Sequence, residues 1–306
     1  MGHKDLPQNA VPGPNAADDK SSFSLISNQK LLEIYAAILR MSILAERSIS
    51  DAGSNAGMSG LPAGREAIVA GVTIDLLPED TVLSSPQNLL PGFLREVSLQ
   101  VILAGKDARL PGFLAPASGP EARFNLAIGA ALAGKIQGGD SIAVLFADER
   151  ETASADARAA LAFAGAQELP VIFVCDSMNE NGRSRAESAA DRAKACSVPG
   201  IAVDGNDAVA VYRVASESIS RARLGRGPTL IDCHSFRIHP EPRSRGAKSK
   251  DSGETAPHDG PVPQMEQYLI NKGIFRAGEK AAVCSGFIDQ LSQQGWVVSP
   301  DFAISR

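Results

Sequence analysis

Two uninterrupted apolar runs constrain this chain more than anything else in it. Residues 141–147 (Ser-Ile-Ala-Val-Leu-Phe-Ala) lead directly into Asp148, and residues 170–175 (Pro-Val-Ile-Phe-Val-Cys) lead into Asp176. A strand that is apolar at successive positions is covered on both faces, which is the condition of a strand inside a parallel sheet. The alanine-rich stretch between them, residues 152–167, suits a helical crossover. The unit reads as strand–helix–strand, with a right-handed crossover expected and a carboxylate at the carboxyl end of each strand. Open α/β sheets place their ligands outside those ends. The fold class that follows is α/β, a parallel sheet flanked by helices.

The rest of the chain divides into compatible pieces. Residues 1–27 are rich in Pro, Asn, Asp and Ser and read as a disordered arm; residues 28–306 read as one domain. Leu31, Ile34, Tyr35, Ile38, Met41 and Leu44 recur at helical spacing behind Asn28, an expected N-cap. Further helices are expected at 64–77, 122–136, from 206 or 207 to 224, 263–272 and 278–293. Strands are expected at 81–84, 201–204 and 228–233. Residues 240–262, dense in Arg, Lys, Ser, Pro and Gly, read as a mobile loop.

Composition narrows the function. A net charge of −5, with three Tyr and one Trp, excludes a nucleic-acid surface built on basic runs and base stacking. The cysteines at 175, 196, 233 and 284 form no CxxC pair. Cys175 and Cys233 fall inside expected buried strands, which suits a reducing cytoplasm. No apolar run reaches transmembrane length and no signal-peptide core is present, so a soluble cytoplasmic protein without a membrane partner is expected.

Single motifs have bland readings as well as sharp ones. Asp148 serves equally as a metal ligand or as the cap of the following helix. Gly129 to Lys135 spells most of a phosphate-binding loop, but Ile136 follows and no strand precedes it, so a helix interior is the better reading. His234 reads as a structural imidazole in or just past a strand.

Longer blocks carry a family resemblance. Gly64-Arg65-Glu66-Ala67, residues 169–175, residues 203–207, Ala210-Val-Tyr212, residues 227–231 and residues 261–273 occur in order. On these the chain resembles, from about residue 29 to about 293, the α subunits of E1 components of thiamine diphosphate-dependent 2-oxo acid dehydrogenases, acting on pyruvate, branched-chain 2-oxo acids or acetoin. The resemblance implies a thiamine diphosphate-binding fold, thiamine diphosphate and Mg²⁺ as cofactors, and assembly as a homodimer or as α2β2 with an E1 β-like subunit. In the family the α subunit holds the diphosphate and Mg²⁺, and the β subunit supplies a glutamate that activates the cofactor.

The same alignment shows where this chain departs from the family. The family's first motif strand ends in Gly-Asp-Gly and its second in Glu-Asn-Asn, with the Asp and the second Asn ligating Mg²⁺. Here the runs are Ala147-Asp148-Glu149 and Asp176-Ser177-Met178-Asn179. Asp148 keeps its place, Met178 replaces the amide, Asn179 is the candidate substitute ligand against the plainer reading of a turn residue, and Glu149 brings negative charge toward a diphosphate. The family's Tyr-Arg-x-His is Pro86-Gln87-Asn88-Leu89, so Gln87 stands where a diphosphate-gripping arginine is implied. Gly60 and Glu241 occupy two further family histidine positions, which leaves His239 as the residual acid–base candidate. The expectation is a catalytically degenerate E1 α homologue with weak or no thiamine diphosphate binding. The alternatives are an active E1 α subunit performing oxidative decarboxylation with a β partner, and a non-catalytic binding or assembly subunit.

Overall fold

The structure, a computed structural model, describes residues 26–46, 49–51, 61, 63–104, 108–116, 119–178, 187–235 and 260–298. The N-terminal half comprises α1 (Asn28–Glu46), β1 (Ile49–Asp51), α2 (Glu66–Thr73), β2 (Thr81–Leu83), α3 (Leu90–Leu94), α4 (Leu99–Ala104), β3 (Ala108–Leu110) and β4 (Phe113–Ala115). The central part is α5 (Pro120–Gln137), β5 (Ala143–Asp148), α6 (Glu149–Thr152), α7 (Ala155–Ala166) and β6 (Val171–Met178). There follow α8 (Ala189–Ala195), β7 (Gly200–Asp204), α9 (Ala208–Arg223), β8 (Thr229–Ser235), α10 (Pro261–Asn271), α11 (Glu279–Gln293) and β9 (Trp296–Val298).

Among the described residues, seven strands form one sheet in the order β3-β4-β2-β5-β6-β8-β7. Every pairing is parallel except β3 with β4. The pleat explains the apolar runs. Val144, Phe146, Ile172 and Val174 point to one face, into the core formed with α1, α2, α9, α10 and α11. Ala143, Leu145, Ala147, Val171 and Phe173 point to the other, against α5, α7 and α8. Both faces are buried, so both phases of the period-2 pattern are apolar.

Most expected elements are present, with edges shifted for identifiable reasons. Asn28 is the first residue of α1 rather than its cap; the Ser27 hydroxyl accepts from Lys30 N at 3.1 Å. The helix expected over 152–167 is two pieces. Asp148 and Glu151 form a capping box that starts α6 at Glu149, and Ser154 then caps α7 through Ala157 N. Gly129 to Lys135 is interior to α5, as expected, and Gly134 lies where a Cβ would meet Ser141 Oγ at 2.7 Å. Apart from Ile26 and Ser27 the expected arm lies outside the described residues, as do residues 240–259 of the expected loop. Among the described residues no helix is long and apolar enough to cross a membrane.

Candidate functional site

The chain leaves β2 and β5, which are neighbours, toward opposite faces of the sheet. After β2, Leu89 and Leu90 enter the core on the α1 and α2 side; after β5, α7 packs on the other side. Such a divergence opens a crevice outside the carboxyl ends of the strands. A cleft of about 190 Å³ sits there, lined by Arg65, Ser85, Gln87, Asn88, Asp148, Glu151 and Asp176 over a floor of Ile68, Val69, Phe146 and Ala147.

Strand register brings two carboxylates together. Asp148 of β5 pairs with Asp176 of β6, and both continue the even-numbered face that carries Phe146 and Val174 toward α2. The start of α2 lies over them. Gly64, at φ +87°, turns the chain; its N–H donates to the Glu66 carboxylate at 3.0 and 3.2 Å. Gly71 lets the helix settle against α9, since a Cβ there would stand 2.8 Å from Val211 Cγ1. From this turn Arg65 Nε lies 2.5 Å from Asp176 Oδ2. The two atoms are buried and the N–H does not point along the contact, so they form an ion pair without an aligned hydrogen bond. Asp176 Oδ1 accepts from Ser235 Oγ at 2.9 Å.

Asp148 caps α6. Its Oδ1 accepts from Glu151 N at 2.8 Å, and its own N–H donates to Glu151 Oε2 at 3.1 Å. Glu151 is further tied to Arg123, a buried cation at the start of α5. The cleft wall therefore carries three carboxylates, Asp148, Glu151 and Asp176, and a single guanidinium, Arg65.

The expected site residues distribute unevenly. Gln87 and Asp148 line the cleft. Glu149 is half-buried in the first turn of α6 and is not among the lining residues; Glu151 takes that place. Leu89 is fully buried in the core. Asn179, His239, Gly60 and Glu241 lie outside the described residues. Sequence reading passed over Arg65 and Glu151. Glu151 was recoverable from the Asp-x-x-Glu spacing of a capping box, whereas nothing local ties Arg65 to Asp176.

Behind the sheet, Asp232 is fully buried and accepts from Ser177 Oγ at 2.6 Å and Ala190 N at 3.1 Å. His234 Nε2 stands 3.6 Å from Asp232 Oδ2, beyond hydrogen-bond distance, and its imidazole is partly exposed. The Cys175 thiol bridges Thr152 and Ser177 at 3.3 Å each, and burial pushes it up to about 12.

The chain is similar to known proteins over most of its length. The pyruvate dehydrogenase E1 component subunit alpha of Staphylococcus aureus is 29% identical over 278 residues, covering 84% of this chain and 75% of that protein. The 3-methyl-2-oxobutanoate dehydrogenase subunit alpha of Mycobacterium tuberculosis is 32% identical over 194 residues, 59% of this chain and 52% of that one. Among solved structures, the benzoylformate decarboxylase of Polynucleobacter necessarius superposes with a TM-score of 0.40 at 13% identity; 55% of this chain and 32% of that chain are covered. The family model of the dehydrogenase E1 component matches residues 35–287. The chain belongs to the dehydrogenase E1 component family and is a homologue of the E1 α subunits of 2-oxo acid dehydrogenases.

Proposed function

We propose that this E1 α-subunit homologue is catalytically degenerate, binding thiamine diphosphate and Mg²⁺ weakly or not at all. Its role is then that of an assembly or regulatory subunit. The observation that supports this is the charge of the cleft, where Asp148, Glu151 and Asp176 line the wall and the two guanidiniums beside them are spent on carboxylates, Arg65 on Asp176 and Arg123 on Glu151. A diphosphate is held by cations or by aligned N–H donors. Gln87 has no charge to offer it. Mg²⁺ takes near-octahedral oxygen ligands, yet Arg65 already occupies the side of Asp176 that faces the cleft, and position 178 is a methionine, which has no oxygen to give. The cleft, at about 190 Å³, is also below the roughly 300–1,000 Å³ usual for cofactor-sized ligands. The described residues do not fit the diphosphate–metal pair, and no catalytic step is assigned to it.

Titration calorimetry of the full chain with thiamine diphosphate in excess Mg²⁺ tests this reading. No saturable heat is expected up to about 1 mM, and a Kd near or below about 1 μM overturns the proposal. A second reading, an active E1 α subunit performing oxidative decarboxylation, is favoured by one observation: Asp148 stands at the carboxyl end of a central strand. Binding that emerges only after co-expression with an E1 β-type subunit would support it. Under either reading residues 28–306 act as one domain, the assembly is a homodimer or α2β2, and four free thiols suit a cytoplasmic setting.

A further inference from the structure

Two carboxylates at the ends of neighbouring strands gather negative charge at one place, and a cation beside them offsets it. Asp148 and Asp176 are such a pair, register partners at the ends of β5 and β6. We propose that Arg65 is an internal substitute for a divalent cation: its guanidinium pairs with Asp176, offsets the negative charge that Asp176 and Asp148 bring to the cleft, and makes the cleft indifferent to metal. The inference rests on the degenerate reading above and deepens it by naming the group that takes the metal's place.

Three observations carry it. Arg65 reaches Asp176 from a turn fixed by Gly64 and Glu66, so the cation is delivered by the backbone and not by a freely moving surface side chain. Arg65 Nε lies 2.5 Å from Asp176 Oδ2, so the two charges are in direct contact at the cleft wall. A small cation at that place would meet the same carboxylate charge. Each carboxylate also has one oxygen engaged elsewhere, Asp148 Oδ1 by Glu151 N and Asp176 Oδ1 by Ser235 Oγ. One oxygen per carboxylate remains, which matches the one or two carboxylates through which Mg²⁺ is commonly bound when waters complete its shell.

The test is thermal unfolding of the full chain, followed by circular dichroism. The two buffers are MgCl₂ at about 10 mM and NaCl at equal ionic strength, so that screening is the same. Wild type is expected to unfold at one Tm in both salts. Arg65→Gln is expected to lose about 5–10 °C in NaCl and to regain at least half of the loss in MgCl₂. Adding Asp148→Asn to Arg65→Gln is expected to abolish the regain. Three outcomes overturn the proposal: Mg²⁺ raises the wild-type Tm, Arg65→Gln gains nothing from Mg²⁺, or Arg65→Gln is unfolded in both salts. No thiamine diphosphate is present in these samples. The calorimetric titration can therefore sink the degenerate reading while the salt comparison stands, and the reverse.

Discussion

Asp80 is fully buried and accepts four hydrogen bonds, from Leu77 N at 2.7 Å, Ile142 N at 3.0 Å, and Arg223 Nη1 and Nη2 at 3.0 and 2.6 Å. It ties the turn before β2 to the start of β5 and the end of α9. Removing one partner of a buried pair strands the other charge, so Arg223→Met is expected to cost about 3–5 kcal/mol in urea unfolding. A loss below about 1 kcal/mol would mean that the pair is solvated like a surface bridge. The buried thiols give a second expectation at this scale. Burial raises Cys175 from 9.0 to about 12 and Cys233 well above 9.0. A folded value above the unfolded one means that the protonated thiol contributes stability below pH 9.0, which is lost as pH rises toward 12. Urea midpoints should fall across that window, and Cys175→Ala should fall less steeply than wild type.

At the scale of elements, the hinge between β5 and α6 decides what Asp148 does for the fold. A side-chain cap is worth about 1 kcal/mol, and serine replaces aspartate in it almost without loss. Asp148→Ala should therefore destabilise by about that amount while Asp148→Ser should not; equal losses would place the need for a carboxylate elsewhere than in capping. The elements themselves were largely legible. Both strand runs, the crossover and the late helices follow from period and composition, because burial on two faces writes itself into consecutive residues. Boundaries were less so. The helix expected to run to 77 stops at Thr73, where Pro78 and the Asp80-anchored turn take over the backbone. The short strands β3 and β4 carry too few residues for any period to show. The site was legible only where one stretch of chain contains it: Asp148 and Gln87 could be named, but the Arg65–Asp176 pair joins residues far apart in sequence, and only the packing of α2 across the sheet creates it.

For the whole molecule, the proposed assembly makes a demand on the surface. Leu126 and Ile136 on α5 and Phe163 on α7 are 42%, 76% and 44% exposed, and the two helices pack against each other. If this face is covered in the oligomer, the double variant Leu126→Glu/Ile136→Glu should run as a smaller species than wild type in light scattering, with unchanged far-ultraviolet dichroism. An unchanged mass would move the contact to another face. The opposite side of the molecule bears on how the chain is made. The apolar stripe of α1, from Leu31 to Leu44, is covered in part by α10 and α11, and Tyr35 bonds Glu266 across 231 residues of chain. Synthesis at about 5–20 residues per second separates the two by roughly 10–50 s. Once made, α1 thus waits, with much of its stripe uncovered, until α10 and α11 have followed. A nascent-chain chaperone that binds apolar helices would find a long-lived target at α1.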